Sequence, residues 1–236
     1  MNYATRSVSA LLLLAAGSQA MAQADVTRTA ELGALFTSGN TEEQSLNFGA
    51  EIDIDQEQWD YLFTLDGLYT SSESVVKAQK MTGIARANYQ ISDISYFQTR
   101  ASHEDDRFSG FDSQSDITFS YGREMFSNRA DMSLNVVGGI GVRWTRFNDG
   151  GDSDEPILRL AGEYDWTVSE SAVFSQDLSA EAGSKSDIFR SETSIETAIM
   201  ENLSLRFSVN IKHQTEVPVG KKNTDTQTAI TFVMNF

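Results

Sequence analysis

Along most of this chain apolar and polar residues alternate one by one, and turn-forming residues interrupt the alternation at short intervals. The clearest run is Leu46, Phe48, Ala50, Ile52 and Ile54, interleaved with Ser45, Asn47, Gly49, Glu51 and Asp53. An extended chain sends successive side chains to opposite faces, so each set occupies a face of its own. A helix repeats every 3.6 residues and has no need of that pattern. The same reading gives twelve strands: about 27–37, 46–54, 59–69, 81–91, 97–101, 117–121, 132–144, 158–168, 174–182, 189–199, 203–211 and 224–236.

The connections fall into two kinds. After even strands they are short, at Asp55, Ser92, Ser127, Ser169 and Glu201. After odd strands they are mostly longer, from Ser71, Glu104, Asn148, Gly183 and Glu216, the tight turn at Ser38 to Thr41 being the exception. The longest loops are expected at 104–112 and 148–156. Pro156 and Pro218 are expected in loops, because proline cannot donate to a ladder. An even strand count, with alternating short turns and long loops, is the pattern of outer-membrane barrels. The predicted fold is therefore an all-β, antiparallel transmembrane β-barrel of about twelve strands, wound as an up-and-down meander.

The final strand alternates strictly from Thr224 and stops on an aromatic residue. Phe232, Met234 and Phe236 share one face, and this ending resembles the closing strand that bacterial barrel-insertion machinery reads. At the other end, Arg6 precedes the apolar run Val8 to Ala16, and Ala20-Met21-Ala22 supplies small residues for cleavage. That run is far shorter than the roughly 20 residues of a membrane-spanning helix. Residues 1–22 are thus expected to be a signal peptide, with Ala24 as a second cleavage position, and 23–236 a single barrel domain.

Composition narrows the partners. Lys and Arg total 18 against 34 Asp and Glu, a net charge of −16, which argues against binding nucleic acid. Cysteine is absent, so no disulfide framework holds the fold. Mean hydropathy is −0.32, an ordinary value for a soluble protein. A barrel accommodates this because only alternate residues touch lipid. The expected partners are outer-membrane lipids, lipopolysaccharide and the insertion machinery. A monomer is expected, with no cofactor.

Several stretches together resemble one known family, the salt-induced outer membrane proteins, YdiY-like chains built on a domain of unknown function. They are Leu32-Gly33 with Thr37 to Glu42, Asp106-Arg107-Phe108-Ser109-Gly110-Phe111, and Val217 to Lys222 followed by Asp225-Thr226 and the closing Phe236. The resemblance implies an outer-membrane barrel induced by salt stress. It brings no catalytic residues.

By alternation one set of charges points inward: Glu51, Asp53, Asp66, Arg86, Arg100, Arg143, Arg159, Glu163, Asp165, Asp177, Glu181, Arg190, Glu192, Glu196, Arg206 and Lys212. These either pair into a closed polar core or line a narrow aqueous pore. Two other chemistries are weaker. His103 beside Glu104, Asp105 and Asp106 offers acid and base together, as a lipase- or protease-like hydrolase would need, yet no serine follows at a useful spacing. His213 is expected to face outward. The acidic stretches at 104–106 and 149–155 favour diffuse Ca²⁺ or Mg²⁺ contact over a defined metal site. A soluble periplasmic barrel holding an apolar ligand would require the greasy face to turn inward.

Overall fold

A computed structural model of the chain describes residues 24–37, 43–72, 75–106, 109–148 and 150–236. The signal peptide expected at 1–22, the whole turn expected at 38–41, and Arg107 and Phe108 lie outside these residues. Twelve strands follow one another: β1 (Asp25–Thr37), β2 (Glu43–Gln56), β3 (Trp59–Ser72), β4 (Val75–Ser92), β5 (Ser95–Asp106), β6 (Phe111–Met125), β7 (Met132–Phe147), β8 (Asp152–Ser169), β9 (Ala172–Gly183), β10 (Ile188–Met200), β11 (Leu203–Gln214) and β12 (Thr224–Asn235). Each pairs antiparallel with its sequence neighbours, and β1 pairs with β12 to close the ring.

Closure fixes what the alternation means. Phe48, Ile52, Val136, Phe207 and Phe232 are 40%, 42%, 36%, 45% and 56% exposed, so the apolar stripe faces out around the whole ring. Large apolar side chains belong on such a surface only when it meets something equally apolar, such as acyl chains. The buried apolar interior is small, a cluster of Tyr96, Val137 and Ala161. Aromatic rings gather toward the strand ends, with Trp59 5.0 Å from Tyr89 at the turn end and Phe111 5.4 Å from Phe147 at the loop end. Among the described residues the inward face carries only that small cluster, too little apolar surface to support the apolar-ligand reading of a soluble barrel.

Three expected loops are shorter than the sequence suggests. β8 begins at Asp152, β5 runs to Asp106 with β6 from Phe111, and β4 starts at Val75. Pairing continues there (Arg146 opposite Asp152, Thr145 opposite Ser153) although residues 152–155 are polar on both faces. A strand that projects past the apolar belt meets water on both sides, so it keeps its ladder and loses its alternation. Pro156 is likewise in β8, opposite Val142, and not in a loop. Pairing of β8 with β9 begins only at Ile157, so one edge of the strand is free at the proline. That is where a residue lacking an amide hydrogen is tolerated. Pro218 does lie in a loop.

The seam differs from the rest of the ring. β1 and β12 pair at four positions, from Thr29 opposite Asn235 to Leu32 opposite Phe232, whereas β1 and β2 pair at thirteen. Inside the seam, Arg206 of β11 reaches past β12 to Glu31 of β1 and bonds Glu196 of β10 at 2.7 Å.

Candidate functional site

Ion pairs between strands that are not neighbours have to cross the interior, and several do. Arg86 of β4 meets Glu163 of β8, and Lys212 of β11 meets Glu104 of β5, which Lys80 also holds at 3.1 Å. The lumen is therefore charged, and its charges are sorted into two regions.

The first region is a packed belt on the loop-end side of β5 to β10. Arg143 bonds Glu155 at 2.7 Å and Glu181 at 3.3 Å, and it also donates to the Ser186 carbonyl. Glu181 takes a second bond from Arg190 at 2.8 Å, and Arg159 stands 4.0 Å away. Arg100 bonds Asp116 at 2.5 Å, and Ser102 donates to the same carboxylate. Arg143 and Glu181 are 2% and 1% exposed, among the most enclosed side chains of the barrel. The sequence makes this packing feasible at Gly183, where a Cβ would come within 2.8 Å of the Arg143 guanidinium and 2.5 Å of Glu155. The connection after β9 folds onto the belt: the Lys185 amide donates to Glu155 at 2.6 Å, and the Gly183 amide donates to Asp187 at 3.1 Å.

The second region is an open, acidic chamber. Asp66 lies within electrostatic reach of Glu31, Glu192 and Glu51, with Lys80 opposing them. Asp177 faces Glu163, Glu192 and Asp165, with Arg86 opposing. Glu51, Asp66 and Asp177 occupy inward positions of a closed ring and are nevertheless solvent-exposed. Water-sized space must then exist inside the barrel beside them. Asp53, on the same wall, is half-buried beside Asp55 and Arg86. At the turn-end mouth a cavity of about 460 Å³ opens between Glu57, Asp93, Glu124 and Tyr96.

Members of these regions that sequence reasoning missed are Glu31, Lys80, Asp116 and Glu155. Glu31 belongs to the alternation of the first strand, and extending the fourth and sixth strands by one step would have found Lys80 and Asp116. Glu155 was hidden by its neighbour Pro156, which placed it in a loop.

The remaining candidates do not assemble. His103 is exposed on the outer face while its neighbour Glu104 is buried and bonded to Lys212, so the proposed acid and base are on opposite faces. Across the ladder His103 does meet a serine, with Nδ1 2.8 Å from Ser115 Oγ. His213 makes the same contact with Thr224 at 2.8 Å, also at the loop end. In both cases the nitrogen that an orienting carboxylate would need is spent on the hydroxyl. Among the described residues no group of three or more His, Cys, Asp or Glu could hold a metal ion. The stretches resembling the family meet in space: Gly110 has φ +94°, and a Cβ there would lie 2.9 Å from Lys221 and 3.0 Å from Pro218. Phe232 and Met234 face outward in β12, and Phe236 continues the seam by donating to the Arg28 carbonyl at 2.9 Å.

An antiparallel ring with an apolar exterior and a charged, partly solvent-accessible interior has the architecture of an outer-membrane β-barrel. The chain belongs to the family described as "Protein of unknown function, DUF481", whose model matches residues 30–236. It is 27% identical over 199 residues to the uncharacterized protein YdiY of Escherichia coli strain K12, covering 84% of this chain and 78% of that one. Among solved structures it resembles the COG4313 outer membrane channel from Pseudomonas putida F1, with a TM-score of 0.51 at 9% identity, covering 90% and 95% of the two chains. The NanC porin is similar at a TM-score of 0.48 and 9% identity, covering 89% of this chain and 98% of that one.

Proposed function

We propose that this protein is a monomeric, non-enzymatic channel of the cell outer membrane, a narrow passive conduit whose loop end is closed in the present conformation. The observation that carries the reading is the exposure of Glu51, Asp66 and Asp177 inside a closed ring, since a filled polar core would bury them. The conduit is lined by Glu51, Asp53, Asp66, Arg86, Glu163 and Asp177 and constricted by Arg100, Arg143, Arg159, Glu181 and Lys212. The outward stripe seats it among lipids and lipopolysaccharide, and the aromatic ending at Phe232, Met234 and Phe236 addresses it to the insertion machinery. Synthesis under salt stress accords with the family resemblance. Recording from refolded protein in a planar bilayer tests the conduit: discrete conductance steps are expected. A silent bilayer containing correctly folded protein would reassign the lumen to a structural core.

A further inference from the structure

The belt and its border hold more cations than carboxylates. Four guanidinium groups, Arg100, Arg143, Arg159 and Arg190, all act on Glu181, and Asp116 and Glu155 share them. Glu104 also reaches Arg190 and Glu163 reaches Arg159, but Glu104 is held by Lys212 and Lys80 and Glu163 by Arg86. Arg159 carries the shortfall. It is 8% exposed, and its Nε and Nη1 have no hydrogen-bond partner. Its contact with Glu181 is 4.0 Å, too long to be a hydrogen bond. Two hydroxyls nearby in the register are unpartnered as well, Thr118 Oγ1 and Ser120 Oγ. Ser120 pairs with Gly139, and Gly139 pairs with Arg159, so only a glycine separates the hydroxyl from the guanidinium. A Cβ at Gly139 would sit 2.3 Å from Ser120 Oγ, and one at Gly141 would sit 2.7 Å from Thr118. The floor between β6 and β8 is thus kept free of side chains. Buried donors left without acceptors destabilise a fold, and a guanidinium more than a hydroxyl.

We propose that the belt is an incomplete anion site, completed by a solute bearing one small oxyanion group, a carboxylate or a phosphate, that arrives from the loop end. Arg190, whose side chain is 31% exposed, receives it first. Neighbouring side chains then swing aside, and the oxyanion accepts hydrogen bonds from Arg159 Nε and Nη1 and from the hydroxyls of Thr118 and Ser120. The excess positive charge of the belt attracts such a group, while the carboxylates of the chamber below repel it, so it is held and does not pass through.

Thermal melting of the refolded protein tests this, with sodium acetate and sodium phosphate each titrated against sodium chloride at fixed ionic strength. The midpoint of the wild type should rise with at least one oxyanion. Arg159→Met should lose that rise and melt above the wild type in chloride alone, because it removes an unpartnered buried charge. Arg86→Met, altered in the chamber, should keep the rise. Comparison with Arg159→Met also removes the general stabilising action of phosphate. Should Arg159→Met fail to refold, Ser120→Ala serves: it should weaken the oxyanion response about fivefold, the loss of one hydrogen bond. No rise in the wild type, an equal rise in Arg159→Met, or an undiminished response in Ser120→Ala would each overturn the proposal.

Discussion

The belt and the chamber are built from the same residue types on the same ring, and they treat charge in opposite ways. In the belt, carboxylates and guanidinium groups are packed against one another and, Arg190 apart, buried. In the chamber, seven carboxylates (Glu31, Glu51, Asp66, Glu163, Asp165, Asp177 and Glu192) face three cations, Lys80, Arg86 and Arg206; Arg86 pairs with Glu163 and Arg206 with Glu31, while Glu51, Asp66 and Asp177 stay open to solvent. A buried ion pair is rigid because either partner alone would be stranded in a medium of low dielectric. An exposed carboxylate is stabilised by water and asks for no partner. The belt's charges therefore hold shape, and the chamber's charges set a field.

The largest expected effect comes from stranding charge in the belt. Arg143→Ala leaves Glu155, Glu181 and the Ser186 carbonyl without their donor and should cost about 3–5 kcal/mol in denaturant titration of refolded protein. Moving charge to the outer surface should cost nearly as much. Ile140 is the most lipid-facing residue of β7, and Ile140→Arg should destabilise by about 2–4 kcal/mol in lipid while having little effect on conductance. Arg206→Ala, between the two regions in burial, should cost about 1–3 kcal/mol and speed hydrogen exchange of the amides from Thr29 to Leu32 before those of β7. The smallest effect on stability is expected in the chamber. Asp66→Asn and Glu51→Gln should change stability by no more than about 0.5 kcal/mol, yet lower the preference for cations over anions read from the reversal potential in a salt gradient. If the chamber variants destabilise as strongly as Arg143→Ala, the two regions are one packed core and the contrast disappears.

The fold was legible because a lipid-facing ring imposes one rule at every step of the chain. Phe48 and Ile52 had to alternate with Gly49 and Glu51, and a register slip would have placed carboxylates in hydrocarbon. Strand ends were less legible for the same reason. From Asp152 to Glu155 both faces meet water or charge, the rule lapses, and a paired strand reads as a loop. The site was legible as a list of inward charges, without its division into regions. Nothing local in the sequence says that Arg143 touches Glu181, 38 positions away, while Asp66 is left exposed. That depends on which walls face each other across the lumen. The serine opposite His103 escaped notice because it lies 12 positions further along the chain, across a hairpin.

The join between first and last strands, held by four residue pairs, the Phe236 amide on Arg28 and one arginine, makes this ring a bracelet with a clasp. Heat, denaturant or a pull on either terminus will part the molecule there before it unzips any other neighbours. Assembly reverses the path: the sheet can grow hairpin by hairpin while still an open ribbon, and the clasp is fastened last.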